Sequence, residues 1–453
     1  MEAATKESRP LFTNQQLCAL IVPLLIEQLL AVAVGMADTM MVSQAGEAAV
    51  SGVSLVDMIN NLIIYLFSAL ATGGAVVTSQ FIGARRIREA GDSAGQLVLL
   101  SLLSGLGILA FCLLCGRPVM RLFFGSITED VMEAGLLYLR ITAVSYPFLA
   151  LYNAGAALFR SVGNSGISMR VSIVMNLINI VGNAIGVLVL HLGVAGVALP
   201  TLISRAVAAF LILRAAEHGA GPVQLHLRGL RLRGHMVRRI LEIGVPSAVE
   251  NGLFQLGRLL VVSIIATFGT AQIAANAVAN NLDGMAILGG QALGLATITV
   301  VGQCVGAGDY AQARRYNRKL MLISWLLIAA SAAAILTSLP LLLNLYNISD
   351  EARVLSAQLV RLHNIPAIAL WCLSFTLPNT LRAAGDARFT MVVSIVSMAV
   401  FRIGFSVVLG IWMGMGAIGV WIAMDIDWVC RVICFVARYF SGAWTRKYQN
   451  YQA

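Results

Sequence analysis

The sequence predicts an all-α integral membrane protein in which twelve transmembrane helices form two pseudo-symmetric six-helix bundles around a central cleft. Three observations predict this fold class. Of the 453 residues, 59% are hydrophobic and only 11% are charged, whereas about a quarter of the residues of an ordinary soluble domain are charged. The apolar residues form twelve blocks long enough to span a bilayer. The chain also repeats its own motifs after 222 or 223 residues.

The composition disfavours soluble enzymes, nucleic-acid-binding proteins and disordered regulators, because so few charges cannot cover a water-exposed surface. The net charge is +10, but the basic residues lie in short clusters between apolar blocks, as juxtamembrane charges do. We therefore expect a lipid bilayer and no nucleic acid as partner. The seven cysteines lie in or beside apolar segments, which disfavours a disulfide framework or a metal site.

A membrane-spanning helix needs about 20 residues. Several of the apolar blocks are longer, so these helices must tilt, bend or protrude into water. Proline and glycine inside them provide places to bend. The predicted spans are 17–42, 50–80, 93–115, 133–160, 168–191, 194–214, 240–268, 272–305, 318–344, 355–384, 389–413 and 416–440.

The internal repeat divides the spans into two halves of six. Because each half has an even number of spans, both halves start on the same side, and the pseudo-twofold axis runs along the membrane normal. Two such lobes around a cleft are typical of alternating-access carriers. The matched motifs are P-x-x-x-E at 23–27 and 246–250, Q-x-x-G-A at 80–84 and 303–307, R-x-x-G at 160–163 and 382–385, and G-x-x-G at 193–196 and 416–419.

Lysine and arginine predict the orientation. The termini and the connections on their side of the membrane contain 22 of the 31 basic residues. We therefore predict a multi-pass protein of the plasma (inner) membrane with both termini in the cytoplasm. The predicted segments are a cytoplasmic N-terminus (1–16), an N-terminal lobe (17–214), a cytoplasmic linker (215–239), a C-terminal lobe (240–440) and a cytoplasmic tail (441–453).

Ionisable residues inside spans are candidates for function, because a charge in hydrocarbon costs several kcal/mol. The N-terminal half offers Glu27, Asp38 and Asp57. At a helical rise of about 1.5 Å per residue, Asp38 reaches the same outer depth as three polar residues, Asn179, Asn183 and Thr201, while Asn153 lies deeper. Amides and hydroxyls also join membrane helices by hydrogen bonds, so a purely structural role remains the alternative for them.

At these residues the chain resembles the multidrug and toxic compound extrusion (MATE) family over nearly its whole length, and within that family the prokaryotic DinF-like branch. The resemblance rests on the two parallel six-span repeats and on four motifs. These are G-M-A-D-T at 35–39, Q-x-x-G at 80–83, N-I-V-G-N at 179–183 and W-I-A-M-D-I-D-W at 421–428.

The resemblance implies export of organic, often cationic and amphiphilic compounds in exchange for H⁺ or Na⁺, with no other cofactor. It also implies a cation site in the N-terminal lobe and bending of the first span at a proline, which is Pro23 here and has Pro246 as its repeat counterpart. The implied site consists of Asp38, Asn179, Asn183 and Thr201, with Asn153 beside them. Many family members have aspartate where this chain has Asn183. A single carboxylate with neutral oxygens could hold Na⁺ or carry a proton on Asp38, so the coupling ion stays open.

In the second half, Glu250 matches an acid of the seventh span that some family members use for coupling. Glu27 is its repeat counterpart, and a hydrogen-bonding role at the helix bend is the alternative for both. Asp427 and Arg431 are one helical turn apart, which favours an ion pair within the helix. Arg402 has no partner that the sequence identifies.

The main alternative function is a flippase of lipid-linked oligosaccharide or peptidoglycan precursors with a related fold, for which we would expect a strongly basic cavity. An enzyme is disfavoured, because the histidines are scattered and no catalytic or metal spacing occurs. The P-loop pattern is missing from the sequence, which argues against direct use of ATP. We expect a monomer that binds small organic substrates and a monovalent cation.

The predicted topology can be tested by labelling single introduced cysteines. A cysteine at position 220 should react only from the cytoplasmic side and one at position 350 only from the outside, because the linker around 220 is rich in arginine, whereas the loop at 350 has a single arginine, Arg353, beside two acids. The measurement is alkylation by a membrane-impermeant maleimide in intact cells and in inverted vesicles. Outside access at 220, or cytoplasmic access at 350, would overturn the topology.

Overall fold

The computed structural model describes residues 10–42, 47–125, 128–219, 223, 231–346 and 348–449, except the side chains of 36–40, 42, 47, 48, 447 and 449. Asp38 is therefore described as part of a helix but not as a side chain. The helices are α1 (Asn14–Val42), α2 (Glu47–Gly83), α3 (Ile87–Phe124), α4 (Glu129–Val144), α5 (Tyr146–Ser161), α6 (Ser165–Ala184), α7 (Ala195–Glu217), α8 (Gly234–Ala266), α9 (Thr270–Ala286), α10 (Leu288–Gly306), α11 (Tyr310–Asn344), α12 (Asp350–Trp371), α13 (Leu377–Ala383), α14 (Ala387–Ser397), α15 (Gly416–Phe440) and α16 (Ala443–Gln449). Wider π-helical turns extend α6 over Ile185–Val189, join α12 to α13 over Cys372–Thr376, and continue α14 over Met398–Gly404 and Ser406–Trp412.

In the part of the chain that the structure describes, ten helices are long and apolar enough to cross a membrane, or eleven if the bent pair α4 and α5 is one span. The remaining membrane-length helix is α15, which has 25 residues. It is as apolar as the other spans but contains several charged residues in its middle, Asp425, Asp427 and Arg431. Their buried partners, described below, make this helix compatible with a membrane interior.

Two predicted spans prove to be longer helices. The third was expected at 93–115, but α3 continues through Pro118 to Phe124. A proline within a helix removes one backbone hydrogen bond without always ending the helix. The ninth was expected to begin at 318, but α11 begins at Tyr310, where the Asp309 side chain accepts a hydrogen bond from the backbone N–H of Gln312 at 2.9 Å. Hydrophobicity alone did not reveal these polar helix ends.

The spans break where proline and glycine permit it. α4 and α5 meet at Ser145, just before Pro147, with a bend of 45°. α9 and α10 meet at Ile287, just before Gly289 and Gly290. By contrast, α1 and α8 run through Pro23 and Pro246 as continuous helices. Bending at these two prolines during a transport cycle stays a prediction.

The repeat extends to the backbone of the turns. The residues that follow α2 and α10, Arg85 and Gly308, are 223 positions apart and both have left-handed backbones, with φ of 59° and 73°. In each turn the next N–H donates back to a carbonyl five residues earlier, which satisfies the helix end. These bonds run from Arg86 to Phe81 and from Asp309 to Cys304.

The first helix of each lobe packs against the other lobe. The first turns of α1, including Leu17, Leu20 and Leu24, belong to one buried cluster with residues of α10 and α11. The first turns of α8, including Ile240 and Ile243, belong to a buried cluster of the N-terminal lobe. We call the end of the molecule at which α1 and α8 begin the linker side.

On the linker side the two lobes meet through the repeated Q-x-x-G motifs. A side-chain carbon added at Gly83 would overlap the carbonyl oxygen of Gln303, and one added at Gly306 would overlap the carbonyl oxygen of Gln80. Only glycine lets the ends of α2 and α10 approach so closely. The two motifs therefore pack against each other reciprocally across the pseudo-twofold axis.

The two glutamine side chains reinforce this contact. Gln80 donates to the backbone oxygen of Ala383 in the C-terminal lobe at 2.8 Å, and Gln303 donates to that of Ser161 in the N-terminal lobe at 2.7 Å. Arg239 donates to the Gln80 side-chain oxygen at 2.9 Å. Because these bonds are buried and cross between lobes, they hold the linker side closed. We call the contact of Gln80, Gly83, Gln303 and Gly306 the interlobe latch.

Adding a methyl group at the latch should open it. We expect Gly306→Ala to destabilise the closed arrangement by about 1–3 kcal/mol, the usual effect of overpacking, which is about 5- to 150-fold in the equilibrium. The measurement is the maleimide reaction rate of Ser79→Cys in a background without the native cysteines. Ser79 is fully buried beside Gly302 of the other lobe, so its replacement reports lobe separation.

The matched control is Gly107→Ala, because an added carbon at that helical glycine meets nothing within 4 Å. It should leave the reaction rate unchanged. Equal rates in the Gly306→Ala and Gly107→Ala proteins would show that the latch does not control access to this surface.

Candidate functional site

Three of the predicted cation-site residues form a buried hydrogen-bonded chain between α6 and α7. Asn183 donates to the Asn179 side-chain oxygen at 3.3 Å, and Asn179 donates to the Thr201 hydroxyl at 3.0 Å. Thr201 in turn donates to the backbone oxygen of Val197 at 3.0 Å. Asn179 and Asn183 meet because they are one helical turn apart on α6. We call Asn179, Asn183 and Thr201 the amide–hydroxyl chain.

Asp38, the acid of the predicted site, lies near the end of α1, and α1 packs directly against α6. Its side chain lies outside the described residues. Asn153, predicted to lie beside the site, is on α5 and donates to the backbone oxygen of Leu149 in its own helix at 3.0 Å. The role of these residues in cation binding stays a prediction.

Asp57, a secondary candidate, is the centre of another network in the N-terminal lobe. Asn60 and Tyr138 donate to its Oδ1 atom at 3.0 and 3.2 Å. Tyr146 donates to the side-chain oxygen of Asn60 at 2.6 Å. These bonds connect α2 to α4 and α5, which is the structural role that polar residues commonly have between membrane helices.

Glu250, the second-lobe candidate, is buried in an ion pair. Arg382 lies 2.7 Å from its carboxylate, and the hydroxyls of Ser394 and Thr390 donate to it at 2.6 and 3.4 Å. Arg382 also donates to Asn379 at 2.7 Å. The sequence comparison of the two halves matched Arg382 to Arg160 but did not identify either as a partner of an acid.

The N-terminal lobe contains a looser version of the same arrangement. Glu27 corresponds to Glu250, and the charge of Arg160 and the hydroxyl of Ser168 act on it. Its Oε1 atom has no hydrogen-bond partner in the described part of the chain. Both lobes therefore place an arginine and a hydroxyl near the acid that follows the proline, but the close ion pair is in the C-terminal lobe.

A second buried charge cluster crosses the C-terminal lobe. Asp427 lies 3.0 Å from Arg431, as predicted for residues one turn apart, and 3.1 Å from Arg402, the partner that the sequence did not identify. All three side chains are at most 4% exposed. Both guanidinium groups lie over the ring of Phe254, at 5.0 and 5.4 Å, which stabilises the cations further.

The sequence also gave no indication of a role for His363 on α12. This side chain is fully buried, and its Nδ1 atom lies 2.7 Å from Asp425 of α15. Its Nε2 atom lies 3.8 Å from Asp283 of α9. Three spans thus bring one imidazole and two carboxylates together. Their positions are 80 and 62 residues apart along the chain, and no periodicity relates them.

A cavity of about 370 Å³ opens between α2 and α8, away from the linker side. Arg258, which the sequence offered as a partner for Glu250 or another acid, lines this cavity instead of pairing with Glu250. The other lining residues are mostly apolar or aromatic; they are Met58, Ile59, Asn61, Leu62, Tyr65, Phe123, Phe124, Gln255, Leu256, Leu259 and Val262.

All seven cysteines are free thiols. Among the described residues, no group of three or more histidine, cysteine or acidic side chains is arranged to hold a metal ion. A Na⁺ site built from amide and hydroxyl oxygens is a different kind of site, and it stays a prediction.

Removing the Glu250 carboxylate should strongly destabilise the fold, because the mostly buried Arg382 then loses its ionised partner and keeps only its hydrogen bond to Asn379. We expect Glu250→Gln to lower the free energy of unfolding by about 3–5 kcal/mol. The Glu250→Gln/Arg382→Gln double variant should recover much of this loss. The measurement is a double-mutant cycle from thermal or denaturant unfolding in detergent.

The control is the exposed pair of Asp350 and Arg353, whose side chains are 95% and 38% exposed. Asp350→Asn should cost less than about 1 kcal/mol. If the single and double variants at Glu250 and Arg382 lose stability additively, the ion pair does not stabilise the lobe.

A known protein family matches each of the two halves of the chain separately. The MatE family model matches residues 23–185 and again residues 246–408. The two matches begin 223 residues apart, which is the interval of the repeat in the sequence. Together they cover most of the chain.

Curated relatives match over nearly the full length. An uncharacterized transporter of Bacillus subtilis, YisQ, is 29% identical over 98% of this chain and 98% of its own length. A probable multidrug resistance protein, NorM of Thermotoga maritima, is 23% identical over 96% of this chain and 94% of its own length.

A solved structure of a multidrug resistance MATE family transporter in an outward-facing conformation has the same fold, with a TM-score of 0.89. It is 21% identical and covers 95% of this chain and 96% of its own. The likeness confirms the predicted fold class of two six-helix bundles. Assignment to the DinF-like branch stays a prediction. The family match over most of the chain shows that this protein belongs to the MATE family of multidrug efflux transporters, and is a membrane-integral transporter rather than an enzyme.

Proposed function

We propose that this protein is a secondary active exporter of the inner membrane that exchanges organic, often cationic and amphiphilic compounds for H⁺ or Na⁺ by alternating access. It acts as a monomer, with both termini in the cytoplasm, and uses no cofactor besides the coupling ion.

The observation that carries the proposal is the unequal contact between the lobes. At the linker side, the latch joins the two lobes through buried glutamine side chains. Away from the linker side, a mostly apolar cavity of about 370 Å³ lies between α2 of one lobe and α8 of the other. A volume of this size suits a small organic molecule. If the linker side faces the cytoplasm, this arrangement is open toward the outside, and breaking the latch is the step that exposes the cavity to the cytoplasm.

The arrangement of the amide–hydroxyl chain favours a proton as the coupling ion. The Asn179 and Thr201 side-chain oxygens each accept an N–H donor within the chain. Coordination of Na⁺ would have to use the second lone pair of each of these oxygens and would need the chain to close around the ion. Protonation of Asp38 leaves the hydrogen bonds of the chain intact. We therefore favour H⁺ on Asp38, with Na⁺ held by Asp38, Asn179, Asn183 and Thr201 as the alternative.

The flippase alternative finds less support. A carrier of polyanionic lipid-linked precursors would need a basic cavity, and Arg258 is the charged residue among the described lining side chains. Three arginines inside the C-terminal lobe, Arg382, Arg402 and Arg431, are instead paired with buried carboxylates. The relatives named above are described as transporters or multidrug resistance proteins and do not favour the flippase either.

The coupling role of Asp38 can be tested by substitution with asparagine. Asp38→Asn keeps the size and hydrogen bonding of the side chain but cannot titrate, and an ion gradient can act only through a site that binds the ion unequally in the two conformations. We expect uphill export to vanish while expression and thermal stability stay near wild type. The measurement is drug efflux from proteoliposomes under separately imposed H⁺ and Na⁺ gradients.

Asp130→Asn is the matched control, because Asp130 is an exposed acid at the start of α4. It should transport like the wild type. Undiminished uphill efflux by Asp38→Asn would show that coupling resides elsewhere, and the gradient that drives wild-type efflux identifies the ion.

A further inference from the structure

The His363 side chain is fully buried and packs against two tryptophan rings. Its ring lies 4.9 Å from that of Trp421 and 4.2 Å from that of Trp428, measured between ring centroids. The neighbouring carboxylates of Asp283 and Asp425 are 13% and 15% exposed, whereas the imidazole is fully buried. The two acids are thus the accessible members of the cluster, and the imidazole is enclosed between them.

The contacts of His363 leave its Nε2 atom free to bind one proton. A carboxylate can only accept hydrogen bonds, so the 2.7 Å contact with ionised Asp425 requires a proton on Nδ1 of His363. The neutral ring then directs its Nε2 lone pair toward the Oδ2 atom of Asp283, 3.8 Å away. Neither Nε2 of His363 nor Oδ1 of Asp283 has a hydrogen-bond partner in the described part of the chain. A proton on Nε2 and a movement of about 1 Å would convert this contact into a hydrogen bond.

From these contacts we propose that Asp283, His363 and Asp425 form a proton-binding site in the C-terminal lobe, loaded from the protein surface through Asp283. The proposal rests on the proposed function as an ion-coupled exporter and adds a second site to it. In loading, a proton from water binds a carboxylate oxygen of Asp283. That O–H bond then breaks as an N–H bond forms at Nε2, giving an imidazolium between two carboxylates. Release follows the reverse path.

Other charges surround the site. Arg258 of α8 and Arg402 of the π-helical segment act on Asp283, and α15 carries Asp427 and Arg431 beside Asp425. With neutral His363, the three acids and three arginines sum to zero; with protonated His363, the sum is +1. Because Arg258 also lines the cavity, loading the proton makes the neighbourhood of the cavity more positive. A proton and a cationic substrate then oppose each other's binding, as an exchanger requires.

The two tryptophans beside His363 provide a direct readout. A protonated imidazole quenches the fluorescence of a contacting indole by accepting electron density from its excited state, whereas a neutral imidazole quenches it far less. We expect the tryptophan fluorescence of the full-length protein in detergent to fall in a single step as the pH is lowered from about 8 to about 5, the range in which histidine side chains generally change charge.

His363→Asn should abolish this step, because asparagine can still donate to Asp425 from nearly the position of Nδ1 but does not titrate. Asp283→Asn should change the pH at which the step occurs, since it removes the carboxylate that faces Nε2 of His363. The matched control is His218→Asn, which removes an exposed histidine at the end of α7 and should leave the step unchanged.

A flat wild-type profile, or a step that survives His363→Asn, would overturn the proposal. If His363→Asn does not fold, the Asp283→Asn shift decides, and an unchanged midpoint would count equally against the site. The titration needs no transport. Asp38→Asn should therefore keep it, and a failure of the proposed export function would appear in the efflux assay and not here.

Discussion

A polar or charged side chain inside a membrane must find its partners within the protein, because hydrocarbon offers none. This constraint explains the internal arrangement of both lobes. Glu250 is bound by an arginine and two hydroxyls, and Asp427 by two arginines and Ser397. Each charged network connects several helices, so the groups that are hardest to bury also define which helices are neighbours.

The two lobes share one plan but have diverged in charge. In the N-terminal lobe the polar contacts between helices are mostly neutral, as in the amide–hydroxyl chain and the tyrosine and asparagine bonds around Asp57. In the C-terminal lobe the corresponding volume contains ion pairs and an imidazole. Charged pairs cost more to separate than neutral hydrogen bonds. The C-terminal lobe is therefore expected to be the more rigid body.

The contact between the lobes differs from the contacts within them. The latch consists of glycine backbones and glutamine side chains that donate to carbonyl oxygens. Water can replace each of these bonds when the lobes separate, so opening the latch breaks no ion pair. The ion pairs, which could not be opened so easily, lie inside the lobes. This division suits a protein whose lobes move as units.

The sequence by itself determined the class of protein, the twelve spans, the duplication and the pairs that lie one turn apart, such as Asn179 with Asn183 and Asp427 with Arg431. These follow from hydrophobicity and from the period of a helix, which act over a few residues. The tertiary structure alone decided that Glu250 pairs with Arg382, 132 residues away, that Arg402 joins Asp427, and that His363 meets two acids. Such partners lie on different helices. The helical periodicity of a sequence shows which residues share a face of one helix, but it does not show which faces of distant helices will be in contact.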